Sequence, residues 1–263
     1  MTERRSDLPK RALAGIVMIG VALAALWLGG IAFWLLAVVG ALVMMAEWGA
    51  LHGASPRDTR LAQFALSVPL AVMAPASLTI VPHDFFSLGL IGGAAFFVVI
   101  ITRRPQLAAG VVYCALPVLA LMFIRRQHEG IVFTLWALAL VWACDIGAYF
   151  AGRTIGGPKL APRVSPNKTW AGLAGGVVAA GAFGLFMHWR FGLPWRMTVA
   201  TPALAVLAQA GDLYESWLKR RAGVKDSGTL IPGHGGVMDR LDGLVPVAPV
   251  AAFLIVLPHF YPS

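Results

Sequence analysis

Nine apolar segments recur along the chain, at residues 12–28, 31–51, 61–80, 85–101, 107–124, 131–151, 170–189, 195–211 and 244–260. Each approaches the roughly 20 residues needed to cross about 30 Å of hydrocarbon at about 1.5 Å per residue. Of the 263 residues, 59% are apolar and 13% charged, with a mean hydropathy of +0.76, which leaves too little polar surface to clothe a water-soluble globule. The expected fold is all-α: a polytopic integral membrane bundle of about nine transmembrane helices. Pro69, Pro75 and Pro202 interrupt some segments, so eight spans and a re-entrant piece is the other count the pattern allows. The first segment follows Arg4, Arg5, Lys10 and Arg11 as a secretory signal would, but Trp27, Leu28, Gly29 and Gly30 run straight into the next apolar stretch without a small-residue cleavage site. A retained helix is expected there.

Lysine and arginine set the orientation. With nine spans and a cytoplasmic N-terminus, 17 of the 21 basic residues fall in inside loops, and only Arg125, Arg126, Arg190 and Arg196 face out. That bias is what the positive-inside rule requires of a multi-pass protein of the cell's inner membrane. The net charge of +9 does not point to nucleic acid, because the bases are scattered through short loops rather than gathered in a stripe or arm. Two long polar connections, 152–169 and 212–243, share the cytoplasmic side. The organisation read from this is N-terminal transmembrane helices over 1–130 and a C-terminal transmembrane catalytic region over 131–263 that carries both loops.

Five of the twelve acids lie between residues 212 and 242, interleaved with Lys219, Arg220, Arg221, Lys225 and Arg240. Opposite charges at this density suit a metal-phosphate site; the bland alternative is a solvated loop whose charges pair with one another. Asp212, Glu215, Ser216 and Lys219 fall at i, i+3, i+4 and i+7, on one helical face. Asp239 and Asp242 are also three apart, and Gly233-His234-Gly235-Gly236 supplies a backbone that can turn tightly and present N–H groups to an anion. Such carboxylates suit hard divalent cations, since magnesium takes a few carboxylate oxygens and completes its shell with water and phosphate. For His234, a loop-stabilising hydrogen bond and a contact with phosphate are equally open readings.

In the other loop Arg153, Lys159, Arg163 and Lys168 are unopposed by any acid, and Ser165, Asn167 and Thr169 add groups that bind phosphate or a headgroup. An orienting, positive-inside loop is the alternative. Asp145 lies about five residues from the cytoplasmic end of its helix with Tyr149 one turn on. An aspartate within a span is costly, so it faces the bundle interior or a wet cavity unless it is merely interfacial. Glu47, similarly placed, is read as structural. The remaining histidines and most tryptophans sit near span ends, as an interfacial belt does. Cys114 and Cys144 lie inside apolar runs and indicate neither a disulfide framework nor a metal site.

Ser216-Trp-Leu-Lys219-Arg220, then Lys225-Asp226, then Pro232-Gly-His234-Gly-Gly-Val-Met-Asp239-Arg240-Leu-Asp242 resembles the signature of the phosphatidate cytidylyltransferases, or CDP-diacylglycerol synthases, over 27 residues. Asp145-Ile-Gly-Ala-Tyr149, Lys159-Leu and Ser165-Pro-Asn-Lys168-Thr169-Trp170-Ala-Gly172 resemble the family's second cytoplasmic region. The departures are Asn167, where the family usually has lysine, and Ala171, where it often has an acid.

The resemblance implies transfer of CMP from CTP to phosphatidate, giving CDP-diacylglycerol and pyrophosphate with Mg2+. By position, Asp212 and Asp239 match the metal-binding carboxylates, Asp226 and Asp242 further signature acids, and Lys219, Arg220, Lys225 and Arg240 the phosphate-facing bases. A monovalent cation beside the magnesium is also implied. His234 is taken into the catalytic set, and Asp145, Lys159, Ser165, Lys168, Thr169 and Ser216 are expected to bind substrate. The expected partners are CTP, phosphatidate and the lipid bilayer, without nucleic acid; a homodimer is compatible with such a bundle. A CTP-dependent polyprenol kinase is the alternative enzyme. A transporter fits less well, since the acids gather at one face and no repeat is evident.

Overall fold

A computed structural model describes residues 15, 17, 19–75, 78, 84–230 and 235–260. Helix dominates it. The elements in order are α1 (Ile19–Leu28), α2 (Gly30–Leu51), α3 (Pro56–Val72), α4 (Asp84–Thr102), α5 (Pro105–Arg126), α6 (Gly130–Thr154), β1 (Lys159–Ala161), β2 (Ser165–Thr169), α7 (Trp170–Phe191), α8 (Trp195–Arg221), α9 (Met238–Leu241) and α10 (Leu244–Phe260). The described parts of the apolar segments are largely helical, though the helix within 61–80 ends at Val72. Among the described residues four helices, α2, α5, α6 and α7, rather than nine, are long and apolar enough on their own to cross a membrane, which is consistent with an all-α membrane protein.

One polar connection departs from the all-α expectation. Residues 159–169 form a small antiparallel hairpin in which Lys159 is opposite Thr169 and Ala161 opposite Ser165. Pro162 and Pro166 bracket its turn, and the pairing makes β2 extend to the first residue of α7. Thr169 ends the strand and caps the helix, its hydroxyl accepting the Gly172 N–H at 3.0 Å.

The chain divides into two compact units, Met1–Leu119 with Arg221–Leu241, and Ala120–Arg220 with Asp242–Ser263. The signature stretch is therefore split, with residues 221–241 in the N-terminal unit.

In the first unit, polar side chains tie helices together by reaching backbone carbonyls. Trp34 Nε1 donates to Leu70 O at 2.9 Å, Gln63 Nε2 to Leu42 O at 2.8 Å and Trp48 Nε1 to Gln106 O at 2.8 Å. Gly110 leaves room for the Trp48 indole, which a side chain there would strike. Ser55 caps α3 through the Asp58 N–H, with Pro56 preset at the first helical position.

The second unit packs Trp136, Leu140, Met187, Met197, Leu204, Val247 and Ala251 into a buried apolar core. Its α6 and α7 cross unusually closely because small residues line both helices. A Cβ on Gly176 would meet the Cys144 carbonyl at 2.8 Å, and one on Gly147 the Gly175 carbonyl at 2.7 Å. Small residues are what permit such an approach between apolar helices, where dispersion and weak polar contacts replace the hydrophobic drive. That crossing fixes the stretch of α6 bearing Asp145.

Candidate active site

Helix α8 supplies the backbone of the charged site in the second unit. Asp212 and Ser216 are one turn apart and hydrogen-bond, Ser216 Oγ donating to Asp212 Oδ1 at 3.3 Å; Glu215 and Lys219, the next such pair, meet at 3.3 Å. The single face expected from their spacing is thus formed. Glu215 is fully buried, and Lys219 keeps 12% of its side-chain surface exposed.

The hairpin delivers Lys168 to this face. Its Nζ lies 2.5 Å from Asp212 Oδ2 and 2.9 Å from Gln209 Oε1. Gln209 in turn donates through Nε2 to Asp145 Oδ1 at 3.0 Å, so an aspartate of α6, an amide of α8 and a lysine of β2 form one connected chain. The amide is oriented by its partners: its oxygen meets the ammonium and its nitrogen meets the carboxylate. Buried in an apolar helix, such an amide is worth having only when both ends are satisfied.

Asp242 reaches the same face from the turn before α10. Gly211 permits this, since a Cβ there would strike the Asp242 carbonyl oxygen and come within 2.7 Å of Pro246. Burial pushes the Asp242 carboxyl up to about 6, and the Asp212 charge and, more weakly, Asp145 push the same way; hydrogen bonds to Glu215 and from the Gly243 N–H oppose the rise. Three carboxylates, Asp145, Asp212 and Asp242, thus sense one another, with Lys168 between two of them.

The first unit holds the other half of the signature. Asp239 Oδ2 accepts from the Ser227 N–H at 2.9 Å, the Ser227 hydroxyl at 2.9 Å and the Gly236 N–H at 2.8 Å. Glu47, on α2, accepts the Val237 N–H at 2.9 Å through Oε1, and the Met238 N–H at 2.8 Å and the Ser227 hydroxyl at 3.0 Å through Oε2. The Glu47 carboxylate therefore caps the short α9 from a helix some 190 residues away in sequence. Gly236 has no room for a side chain beside Ser227 and Glu47, and Gly235 takes φ +81° against Asp239, a conformation suited to glycine.

The other expected site residues distribute as follows. Arg220, Lys225, Asp226 and Arg240 are exposed, as are Lys159 and Asn167 on the hairpin; Ser165 is half-buried there. Thr169 is buried and its hydroxyl serves the α7 cap. Tyr149 accepts from Arg153 Nη1 at 2.7 Å. His234 lies outside the described residues. Among those residues no group of three or more histidine, cysteine, aspartate or glutamate side chains forms a ready cage for a metal ion.

Three residues central to this arrangement carried little signal in the sequence. Ser227 lies in the charged signature stretch between Asp226 and Gly228, but a lone serine there carries no spacing signal of its own. Gln209 lies in an otherwise apolar run, three residues before Asp212 and on its face, and an amide buried within a span is the one hint it offers. Glu47 is structural, as expected, but what it supports is the signature loop itself.

The family model described as the cytidylyltransferase family matches residues 9–257. Among curated relatives, the protein called phosphatidate cytidylyltransferase in Brucella suis biovar 1 is 40% identical over 252 residues, covering 92% of this chain and 91% of its own length. A protein of the same name in Rickettsia felis is 35% identical over 162 residues, covering 58% of this chain and 71% of its own. One in Haemophilus influenzae is 43% identical over 141 residues, half of this chain and 48% of its own. The chain belongs to the cytidylyltransferase family and is a nucleotidyltransferase.

Proposed function

We propose that the protein transfers cytidylate from CTP to phosphatidate, forming CDP-diacylglycerol and pyrophosphate at the cytoplasmic face of the inner membrane. The observation that carries this reading is the cluster of Lys168, Asp212, Ser216, Lys219 and Asp242, built from hairpin, α8 and the α10 turn, in a chain whose near full-length relative is named for that activity. Nine spans with the N-terminus inside support the orientation through the distribution of Lys and Arg.

An ionised phosphate oxygen of phosphatidate attacks the α-phosphorus of CTP. A new P–O bond forms as the bond to the β-phosphate bridging oxygen breaks, and that oxygen leaves on pyrophosphate. Because the nucleophile is already an anion, no general base is required. The difficulty is to bring two polyanions together and to stabilise charge on the leaving group. Lys168 and Lys219 are ammonium groups held by carboxylates, each able to exchange its carboxylate for a phosphate oxygen. The exposed Arg220, Lys225 and Arg240 are suited to meet nucleotide arriving from water, and Lys159 and Ser165 to meet the headgroup at the bilayer boundary.

Magnesium belongs to this reading as the family resemblance implies it, with Asp212 and Asp239 each a carboxylate that would serve as a ligand, and a monovalent cation is the further ion the resemblance implies. The donor chemistry fits, because Asp145 and Asp242 stand near enough to Asp212 to raise one another's charge cost, their carboxylates offer hard oxygens, and magnesium needs few protein ligands when substrate phosphates complete its shell. When bound, the ion would neutralise charge on the phosphates being separated.

The test uses purified protein in detergent with phosphatidate, magnesium and CTP carrying label in either the cytidine or the γ-phosphate. Cytidine label entering the lipid with release of pyrophosphate supports the reading. Transfer of the γ-label alone would assign a kinase instead.

A further inference from the structure

Glu47 is an expensive place for a charge. It lies in the last turns of α2, where the helix carbonyls already present partial negative charge, and it is only 7% exposed. Among the described residues its hydrogen-bond partners come from one stretch of chain: the N–H groups of Val237 and Met238 and the hydroxyl of Ser227. That same hydroxyl stands 2.9 Å from Asp239 Oδ2, so Ser227 is flanked by two carboxylates, and Asp239 follows directly after the two amides that Glu47 holds. Gly228 and Gly236 are packed against the Glu47 carboxylate so closely that an added Cβ would lie 2.7 and 2.6 Å from its oxygens. The loop closes around this carboxylate from both sides.

We propose that Glu47 is a positioning residue for Asp239, acting through Ser227 and the amides of Val237 and Met238 to set the direction of that carboxylate. The inference rests on the reading that Asp239 serves cytidylate transfer. The two carboxylate oxygens of Glu47 divide these donors, Val237 N–H on Oε1 and Met238 N–H with the Ser227 hydroxyl on Oε2, so replacing either oxygen leaves at least one backbone N–H without its acceptor. The start of α9 then loses its cap and Asp239 the rigid backbone that aims it. A Glu47→Gln side chain has nearly the same volume and keeps one acceptor oxygen, but its NH2 must face either the Val237 or the Met238 N–H, a donor against a donor. Ser227→Ala deletes only the bridge, leaving the two amide bonds of Glu47 intact.

Two measurements on the full-length protein in detergent decide it. Hydrogen exchange resolved to peptides covering 235–241 should quicken at least about tenfold in Glu47→Gln and less in Ser227→Ala, while peptides from 195–220 keep wild-type rates. Turnover of CTP should fall about ten- to a hundredfold in kcat in Glu47→Gln, with KM for CTP changed by less than about threefold, the range seen when a group orienting an essential ligand is removed. Unchanged exchange at 235–241, or wild-type kcat in both variants, overturns the proposal. Exchange that quickens along the whole chain also overturns it, since Glu47 would then be supporting the fold at large. An inactive wild-type protein would instead count against the proposed function, and the exchange arm would still decide whether Glu47 sets this loop.

Discussion

The Lys168 ammonium lies 2.5 Å from the Asp212 carboxylate, joining the hairpin that follows α6 to the charged end of α8. Both side chains are largely buried, with 19% and 30% of their side-chain surfaces exposed, so neither is readily compensated by water if the other is removed. Lys168→Met should therefore lower stability by about 2 kcal/mol, the scale of a charge-assisted hydrogen bond. It should also reduce kcat/KM for CTP by about a hundredfold, the scale of a lost electrostatic contact in a transition state. Thermal melts and steady-state kinetics on the same preparation measure the two effects separately.

Gln209 gives a sharper version of the same test, because it touches Lys168 and Asp145 without carrying charge. Gln209→Leu keeps the volume and removes both hydrogen bonds. Lys168 and Asp145 are then each left without one partner, and a loss of about 1–3 kcal/mol is expected. Lys168→Met and Gln209→Leu should be non-additive in a double-mutant cycle, since they share one network. Additive effects would mean that the amide and the ammonium act independently.

For Asp242 the prediction is a dependence on pH. Burial, and after it the Asp212 charge, disfavour ionisation of its carboxyl and push it up to about 6 in the folded protein, above the ordinary aspartate value of 3.8. Ionised Asp242 thus destabilises the fold, and its contribution is most favourable below about 4 and lost as pH rises through about 6. In metal-free buffer Asp242→Asn should melt a few degrees higher than wild type at pH 7.5. The difference should shrink between pH 6 and 4 and vanish below. An advantage that persists at pH 4 would show that ionisation is not its source.

Two glycines separate packing from site geometry. Gly176→Leu places a side chain where the Cys144 carbonyl stands, so the α6–α7 crossing cannot form and folded protein should be largely lost. Gly211→Ala meets the Asp242 carbonyl and Pro246. It should cost about 1–3 kcal/mol through overpacking while lowering activity further than that loss of stability explains. The yield of monodisperse protein and the specific activity per folded molecule distinguish the cases.

How much of this was legible in the sequence depends on range. Helices α2 to α8 and α10 were readable because an apolar run of span length has few other solutions, and the α8 face was readable because i, i+3, i+4 and i+7 share a side whatever the helix packs against. The hairpin was not: its strands are three and five residues long, with a proline inside the second and no period-two apolar pattern. Gln209 and Ser227 escaped because their importance lies in partners 41 and 12 residues away, Lys168 and Asp239. Glu47 was placed as structural from its position at a span end, but its partners are 180 to 191 residues distant. Local patterning specifies elements, whereas tertiary hydrogen bonds to single side chains leave no periodic trace.

The most direct measurement follows cytidine-labelled CTP and pyrophosphate together, using purified wild-type protein, phosphatidate and magnesium. One labelled cytidylate should enter lipid for each pyrophosphate released, and this transfer should be abolished by chelation and reduced at least about a hundredfold in Asp212→Asn and in Asp239→Asn. Folded wild-type protein that leaves the label in water, or variants as active as the parent, would contradict it.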